Sequence, residues 1–582
     1  MPNSDAAKAA ATLVDLNDIA AFLHKDAREH MMPGSAPDRA AQLAAVETAK
    51  QFVSGAAPET GSAYEKLKQR FATIDNLGGA SGIMDKDRQT FMPKEELPNR
   101  SRQIQTLAVL AHELITDPAV RTWLEEAEKT ASSLPQDDQR NLFLMRRDWT
   151  ESNAYTAELA QELARIGTEG EELHTQLRPT GDWSQMKDWV AHSFATRTEA
   201  ARAKMAAMPG QFATPYEALL DSFAPGTKDA TIAREFAKLE KALPALIHEA
   251  KQIQDAEPKA IEIKGPFTAA QIEDLCHRIL KAEGFDFNRG RLDICPAHPS
   301  SGGTSDDARI TAKNEDDIIQ TIYAAIHECG HAMYDQRRPL AWRHQPIGSH
   351  LGMGVHESQS RVMEVQACHT PEFFKFLETQ MREALNRPND PALDAKNLER
   401  LVNRVEPSFI RIEADEVTYA AHVITRYRIE KAMVEGRMTV DELPKVWNDG
   451  YNKMLGITPP TPTQGQMQDV HWPCGLVGYF PDYTIGDMMA AQFFHKACEE
   501  HPEIPAELGK GNFQPLNDWL DEHVRSKAAS LTPAELVKAA TGEDLNADYY
   551  LDHLSRRYLG KPFAPSGASP PQADFNRGLS PG

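Results

Sequence analysis

The sequence predicts a mainly α-helical fold, and three observations support this. From Lys94 onward, apolar residues recur at three- and four-residue spacing over long segments, as amphipathic helices require. Short breaks rich in Asp, Pro and Gly separate these segments. One region, residues 289–312, instead has the composition of short β-strands. We therefore expect helices throughout, with a small β-sheet next to the segment that carries the chemistry.

The overall composition limits the binding partners and the cellular compartment that we expect for this chain. The chain has 582 residues, with 63 basic and 85 acidic side chains and a net charge of −22. Such a charge disfavours nucleic acids and anionic membranes as partners. The first thirty residues contain no signal-peptide pattern, and no apolar run is long enough to span a bilayer. Six scattered cysteines then indicate reduced thiols, so we expect a cytoplasmic protein.

The chain divides into three parts in the sequence-based prediction. Residues 1–63 form an Ala-rich, partly helical N-terminal extension, residues 64–561 a single helical domain, and residues 562–582 a disordered tail. The Gly-rich segment 78–93 is expected to be a loop. Two β-like runs, 292–295 and 308–311, flank a loop of Pro, Ser and Gly. An edge strand of this small sheet could pair with an extended substrate peptide.

The chemistry centres on an H-E-x-x-H sequence at residues 327–331. On a helix, His327 and His331 lie one turn apart on the same face, so both imidazoles can reach one metal ion. Glu328 is then placed to take a proton from a water on that metal. Cys329 points to the opposite face and is expected in the core. The alternative is a chance match on an ordinary surface helix, which the apolar flanking residues disfavour.

A zinc site needs at least one further ligand. A third His six residues after the second is excluded, because that position is Arg337. The next apolar-periodic stretch, residues 354–361, predicts a second helix. Glu357 in this stretch would complete a His, His, Glu set with one position open for water.

Five motifs, in order, resemble those of the carboxypeptidase Taq family of metallocarboxypeptidases over roughly residues 64 to 560. They are Asp307-Ala-Arg309-Ile-Thr311 (D-x-R-x-T), His327–His331 (H-E-x-G-H), His356–Gln359 (H-E-S-Q), Ile410–Glu416 (I-R-T-E-A-D-E, with Ile412 in place of Thr) and Gly465–Trp472 (G-x-x-Q-D-x-H-W). The segment 478–486 then resembles GYFP-Y-LG. In one departure, Ser300 follows His-Pro where the family usually has an aromatic residue.

The resemblance implies two helical lobes around a deep central groove with the metal at its base, and usually a homodimer. It implies Zn²⁺, with Co²⁺ often accepted, bound by His327, His331 and Glu357 with Glu328 as general base. The implied substrates are peptides shortened from a free C-terminus, with broad specificity and poor tolerance of proline.

Further site residues are expected from the chemistry. The oxyanion needs a donor besides the metal, and His471 with either Tyr479 or Tyr483 is the candidate. A terminal carboxylate suits a guanidinium, and Arg309 and Arg411 lie in the matching motifs. Arg309 could instead be a solvated strand residue, and Arg411 could pair internally with Glu413 or Asp415. Asp469 could orient a ligand histidine or cap a turn.

The sequence is also compatible with two other functions. One is an endo-oligopeptidase or dipeptidase on a related scaffold, since the H-E-x-x-H plus Glu chemistry is shared. The other is an inactive, zinc-bound binding scaffold, which the retained Glu328 disfavours.

Overall fold

The computed structural model describes residues 3–30, 32, 36–53, 59–313 and 317–564, and it confirms the predicted mainly α-helical fold. The helices of the first half are α1 Asn3–Glu29, α2 Ala36–Val53, α3 Ala63–Thr90, α4 Leu97–Thr116, α5 Pro118–Glu128, α6 Gln136–Ser152, α7 Ala157–Leu177, α8 Trp183–Ala207, α9 Pro215–Leu220, α10 Asp229–Asp255 and α11 Ala269–Glu283. Those of the second half are α12 Ile318–Arg337, α13 Met353–Arg361, α14 Pro371–Leu385, α15 Ala395–Val402, α16 Glu416–Val434, α17 Leu443–Leu455, α18 Pro481–Glu500, α19 Ile504–Leu508, α20 Gln514–His523, α21 Pro533–Thr541 and α22 Ala547–Leu559.

The small sheet has three strands, β1 Gly290–Ile294, β2 Ser300–Thr304 and β3 Asp307–Ala312, in the order β1-β3-β2. β3 pairs in parallel with β1 and antiparallel with β2. The two predicted strands are present, and β2 adds a third where we expected a loop. Its sequence, SSGGT, has low strand propensity, so pairing with the fully buried β3 decides its conformation.

The Gly-rich segment 78–93 is mostly helical, so the loop prediction was wrong for this region. α3 continues through it to Thr90. A Cβ at Gly79 would lie 3.0 Å from the Thr304 side chain, and one at Gly82 would lie 3.8 Å from the Gly303 carbonyl oxygen. Glycine thus allows α3 to pack closely against β2, and this tertiary contact outweighs the low helix propensity.

The described residues form three apolar clusters. The largest contains the buried face of α12 together with Ala308 and Ile310 of β3, so the sheet packs directly on the helix that carries H-E-x-x-H. A second cluster joins α1, α2, α3 and α4, and a third joins α3, the end of α4, α5 and α6. α12 therefore packs against both the sheet and α13.

The ends of the chain differ in what the structure describes. Most of the N-terminal extension is two long helices, α1 and α2, which pack on α3 and α4. The predicted C-terminal tail lies almost entirely outside the described residues, which end at residue 564. Among the described helices, none combines the length and the apolar character needed to cross a membrane.

Candidate metal centre and active site

Close helix packing brings the predicted ligands together. A Cβ at Gly330 of α12 would lie 2.5 Å from the Gln359 carbonyl oxygen, so glycine there allows α13 to cross α12 in contact. On the far side, a Cβ at Gly486 of α18 would lie 2.6 Å from Cγ of Glu357. The Glu357 side chain is thereby held between α12 and α18. These two glycines explain how Glu357 comes next to His327 and His331, which precede it by 30 and 26 residues.

The three ligand atoms have the spacing of a metal site. Oε2 of Glu357 lies 3.6 Å from Nε2 of His327 and 3.3 Å from Nε2 of His331. In a tetrahedral zinc site with bonds of about 2.1 Å, neighbouring ligand atoms are about 3.4 Å apart. The group is the one potential metal-binding cluster found among the described residues. Two nitrogens and one carboxylate oxygen therefore fit a divalent transition metal, and an open position remains for water or substrate.

The other ring nitrogens are fixed by an outer layer of hydrogen bonds. Nδ1 of His327 lies 2.8 Å from Oε2 of Glu364, and Nδ1 of His331 lies 3.1 Å from the His356 carbonyl oxygen. His356 also places its own Nδ1 2.7 Å from Nδ1 of His331. Such partners hold the tautomer in which Nε2 carries the lone pair, so both Nε2 atoms face the metal position.

The charges around His327, His331 and Glu357 favour the binding of a cation. Burial alone would lower the pKa of His327, but the carboxylates of Glu357 and Glu364 outweigh it and raise that pKa to about 9. Burial likewise acts to raise the pKa of Glu357, but the two imidazoles lower it to about 2. The carboxylates therefore create a negative potential at the point where the two Nε2 atoms converge, which is what a divalent cation requires.

A second cluster contains five of the predicted residues, and one of them, Tyr483, lies on α18, the helix whose Gly486 contacts the Glu357 side chain. Nε of Arg411 donates to Oδ1 of Asp469 at 3.0 Å, and its Nη1 donates to the Tyr419 hydroxyl at 2.9 Å. The guanidinium carbon of Arg411 lies 4.9 Å from the centre of the Tyr483 ring. The Tyr483 hydroxyl lies 3.3 Å from Nε2 of His471. The structure thus brings Arg411, Asp469, His471 and Tyr483 together.

Arg411 keeps one terminal nitrogen available. Its Nη2 makes no hydrogen bond with any residue that the structure describes, and this atom is not sealed from water. Arg411 does not pair with Glu413 or Asp415, which was the predicted alternative; its ion pair is with Asp469. Asp415 instead caps the start of α16. Asp469 instead neutralises Arg411 and also accepts from Nε of Arg426 at 2.7 Å. Asp469 therefore holds two arginines and orients no ligand histidine.

Tyr479 completes this cluster. The rings of Tyr479 and Tyr483 are 5.2 Å apart, and those of Tyr479 and His471 are 5.6 Å apart. Burial lowers the pKa of His471 to about 3, and Arg411 and Arg426 act in the same direction against the opposing effect of Asp469. His471 is consequently neutral near pH 7 and can act as an uncharged hydrogen-bond donor.

Arg309 lies outside this cluster. It is 2% exposed, so the alternative of a solvated strand residue is wrong. Its Nε and Nη2 donate to Asp307, both at 3.0 Å, and its Nη1 and Nη2 donate to Asp26 at 3.3 and 2.8 Å. All three guanidinium nitrogens are engaged, so Arg309 is not free to bind a substrate carboxylate.

The sequence interpretation missed several residues of the site. They include Glu364, His356, Tyr419 and Arg361, whose Nη1 donates to Glu364 at 2.7 Å. Glu364 follows Glu357 by seven residues, two helical turns, a spacing that could have indicated it. It lies in a π-helical turn, residues 362–367, and such turns are frequent at functional sites.

Comparison with known proteins identifies the family. The model of the carboxypeptidase Taq (M32) metallopeptidases matches residues 66–558. Thermostable carboxypeptidase 1 of Thermus thermophilus is 33% identical over 507 residues, covering 85% of this chain and 98% of that protein. Carboxypeptidase 1 of Bacillus subtilis is 32% identical over 490 residues, covering 83% and 96%.

Solved structures agree with this comparison. Metallocarboxypeptidase 1 of Trypanosoma cruzi superposes with a TM-score of 0.82 at 32% identity, over 85% of this chain and 99% of that chain. The M32 carboxypeptidase of Deinococcus radiodurans R1 superposes with a TM-score of 0.80 at 29% identity, over 86% and 99%. Since the family model spans most of the chain and the predicted metal ligands converge, this chain belongs to the carboxypeptidase Taq (M32) family and is a metallocarboxypeptidase.

Proposed function

We propose that this metallocarboxypeptidase uses Zn²⁺, with Co²⁺ as an acceptable substitute, to release single C-terminal residues from peptides. The convergence of His327, His331 and Glu357 beside Glu328 carries the proposal. Zinc suits two imidazoles and one carboxylate with an open fourth position, and cobalt accepts the same donors. Broad side-chain specificity and poor tolerance of proline are proposed from the family resemblance.

In this proposal the chain supplies a base, an oxyanion donor and a carboxylate anchor. The bound metal would polarise the scissile carbonyl and acidify a water molecule. Glu328 takes the proton from the attacking water and passes it to the nitrogen of the leaving amino acid. His471 and Tyr483, 3.3 Å apart, supply a neutral N–H and an O–H for the developing oxyanion. Tyr479 remains the alternative hydroxyl donor.

Arg411 would bind the terminal carboxylate of the substrate. Its Nη2 has no protein partner among the described residues, while Asp469 and Tyr419 fix the rest of the guanidinium. A guanidinium held in this way is preorganised for a carboxylate. The requirement for a free C-terminus then follows from charge pairing, because an amidated peptide offers no carboxylate.

Mass-spectrometric digestion of one unstructured peptide, as the free acid and as the C-terminal amide, tests this function. We expect stepwise loss of single residues from the free acid alone, abolished by a chelator. Internal cleavage of both forms would indicate an endo-oligopeptidase. No cleavage of either form with metal bound would indicate a binding scaffold.

Two substitutions test the individual roles. Glu328→Gln should retain the metal and lose nearly all turnover, because the ligands remain and the base is gone. Arg411→Met should raise KM for free-acid peptides, with a loss in kcat/KM of about a hundredfold, since a charge-assisted contact is removed. A Glu328→Gln variant with wild-type turnover would overturn the assignment of the base.

The cellular setting and the assembly are proposals as well. Cys276, Cys295, Cys329, Cys368, Cys474 and Cys498 are all free thiols. This supports a reducing, cytoplasmic location. We also propose a homodimer, on the family resemblance, to be tested by light scattering coupled to size exclusion. The division into a 1–63 extension, a 64–561 catalytic domain and a 562–582 tail can be tested by limited proteolysis.

A further inference from the structure

One buried glutamate holds the chain segment that begins with His471 and ends with Tyr479. Glu430 of α16 is 0% exposed. Its Oε1 accepts a hydrogen bond from Nε1 of Trp472 at 2.9 Å, and its Oε2 accepts one from the backbone N–H of Gly478 at 3.1 Å. Trp472 directly follows His471. Gly478 directly precedes Tyr479, so the two bonds fix both ends of this segment.

His471 depends on the segment for the orientation of its ring. Its Nδ1 is buried and has no hydrogen-bond partner among the described residues, so no bond fixes the ring from that side. Its Nε2 lies 3.3 Å from the Tyr483 hydroxyl, and its ring centre lies 4.4 Å from that of Phe480. A shift of the backbone at Trp472 would therefore carry Nε2 away from Tyr483.

The polar neighbours of Glu430 require an acceptor on both of its oxygens. The Tyr216 hydroxyl of α9 also donates to Oε2, at 2.8 Å, so the carboxylate receives three hydrogen bonds. A carboxylate accepts at both oxygens, whereas a carboxamide accepts at one and donates at the other. In Glu430→Gln the amide oxygen would serve Tyr216 and Gly478. The amide NH₂ would then face the N–H of Trp472, donor against donor, and push that ring away.

The charge of Glu430 changes near neutral pH. Burial raises its pKa from 4.5 to about 7, against the opposing effects of its three hydrogen-bond donors and of Arg426 on the same helix. Burial and Glu430 raise the pKa of Tyr216 well above 10, so that hydroxyl remains a donor. Burial, Glu357 and Glu430 raise the pKa of Asp482 of α18 well above its usual range. The carboxylate that accepts all three bonds therefore forms as pH rises through about 7.

We propose that Glu430 is a positioning residue for the oxyanion donors of this enzyme. It holds the segment that carries His471 and Tyr479, and thereby keeps His471 within reach of Tyr483. The inference rests on the proposed carboxypeptidase function and adds to it a residue that acts through others, without contact with the substrate. Because the donors act on charge that develops in the transition state, loss of Glu430 lowers kcat and leaves KM unchanged.

The first experiment compares Glu430→Gln with the wild-type enzyme on one free-acid peptide. We expect kcat to fall about tenfold, less than the loss of about a hundredfold from removing an oxyanion donor itself. Among the described residues, Glu430 bonds to neither Arg411 nor a metal ligand. KM and the affinity for zinc, measured by competition with a chelator, should therefore stay as in the wild type. Glu283→Gln, the same change at another fully buried carboxyl, is the matched control and should leave kcat unchanged.

The pH dependence separates the role of the bonds from that of packing. The ratio of kcat for the wild type to kcat for Glu430→Gln should approach one as pH falls from about 9 to about 6, because protonated Glu430 has the same charge as glutamine. The contribution of Glu328 is common to both enzymes and cancels in the ratio. A ratio that stays constant over this range would overturn the proposal, since a loss of packing has no such pH dependence.

Trp472→Phe is the second variant, and it carries the test if Glu430→Gln does not fold. It removes the donor to Oε1 and keeps an aromatic ring. We expect a lower kcat with unchanged KM and zinc affinity, and an unchanged kcat would overturn the proposal. The double variant should be no slower than the slower single variant, because both changes break the same bond; losses that multiply would contradict this.

His471→Ala distinguishes failure of this inference from failure of the proposed function. If His471→Ala keeps the wild-type kcat, the assignment of the oxyanion donors is wrong, and the inference falls with it. If His471→Ala lowers kcat but Glu430→Gln does not, the proposed function stands and only the positioning role of Glu430 is overturned.

Discussion

Removing Asp26 tests the role of the buried charges that join the N-terminal helices to the sheet. Asp26 of α1 and Arg39 of α2 form a four-membered group with Asp307 and Arg309 of β3, and all four are at most 3% exposed. Two carboxylates balance two guanidiniums. After Asp26→Ala, Asp307 alone would face both arginines, and one buried positive charge would be uncompensated.

The expected loss of folding stability follows from this charge imbalance. Removing one partner of a buried ion pair destabilises a protein by about 3–5 kcal/mol. The exposed pair between Lys8 and Glu113 also joins α1 to the rest of the chain, with side chains 68% and 42% exposed. Its loss should cost about 0.2–1 kcal/mol. Glu113→Ala is therefore the matched control.

Hydrogen exchange of α1, α2 and β3, together with chemical denaturation, measures the effect. The double variant Asp26→Ala/Arg309→Met should be more stable than the sum of the two single losses indicates, because it leaves one balanced pair between Arg39 and Asp307. Arg309→Met should lower stability without raising KM. A raised KM with unchanged stability would refute the reasoning and return Arg309 to substrate binding.

Three further predictions concern pH, metal and the oxyanion. Burial raises the pKa of the fully buried Glu283 from 4.5 to about 8, so its contribution to stability is complete below about pH 4.5 and is lost as pH rises toward 8. The free energy of unfolding should fall by at most about 1.4 kcal/mol per pH unit in this range, and Glu283→Gln should weaken that dependence in denaturation experiments at several pH values. The same pH dependence in the wild type and the variant would contradict this. Zinc or cobalt should raise the thermal midpoint of the chelated enzyme but not that of a His331→Ala variant, since a ligand of the native state stabilises by mass action; an equal rise in both would contradict the assigned site. Tyr483→Phe should lower kcat by about a hundredfold and Tyr479→Phe by less, because Tyr483 is the tyrosine within hydrogen-bonding distance of His471; the reverse order would reassign the donor.

Some features of the site depend on short-range rules, and these could be predicted. Helical periodicity places His327 and His331 on one face whatever the helix packs against. The same rule located the helix that carries Glu357. The core position of Cys329 followed from its offset to the opposite face, and it is 0% exposed.

Other features depend on partners far away in sequence, and these could not be predicted. The segment 78–93 has weak helix propensity, and its contact with β2, more than 200 residues later, makes most of it helical. The role of Arg309 depends on Asp26, which is 283 residues earlier. Nothing in a local pattern distinguishes an arginine that meets a substrate from one that meets its own chain.

The sequence by itself determined the mainly helical fold and the family, and it predicted the metal ligands and the base, because each depends on residue type and spacing within a few helical turns. Only the tertiary structure decided that Asp26 and Asp307 engage Arg309, whereas Nη2 of Arg411 makes no hydrogen bond with the described residues. It also decided that Asp469 neutralises Arg411 and Arg426 and orients no ligand. The physical reason is that a buried charged side chain needs a counter-ion, and the tertiary structure decides which counter-ion lies next to it.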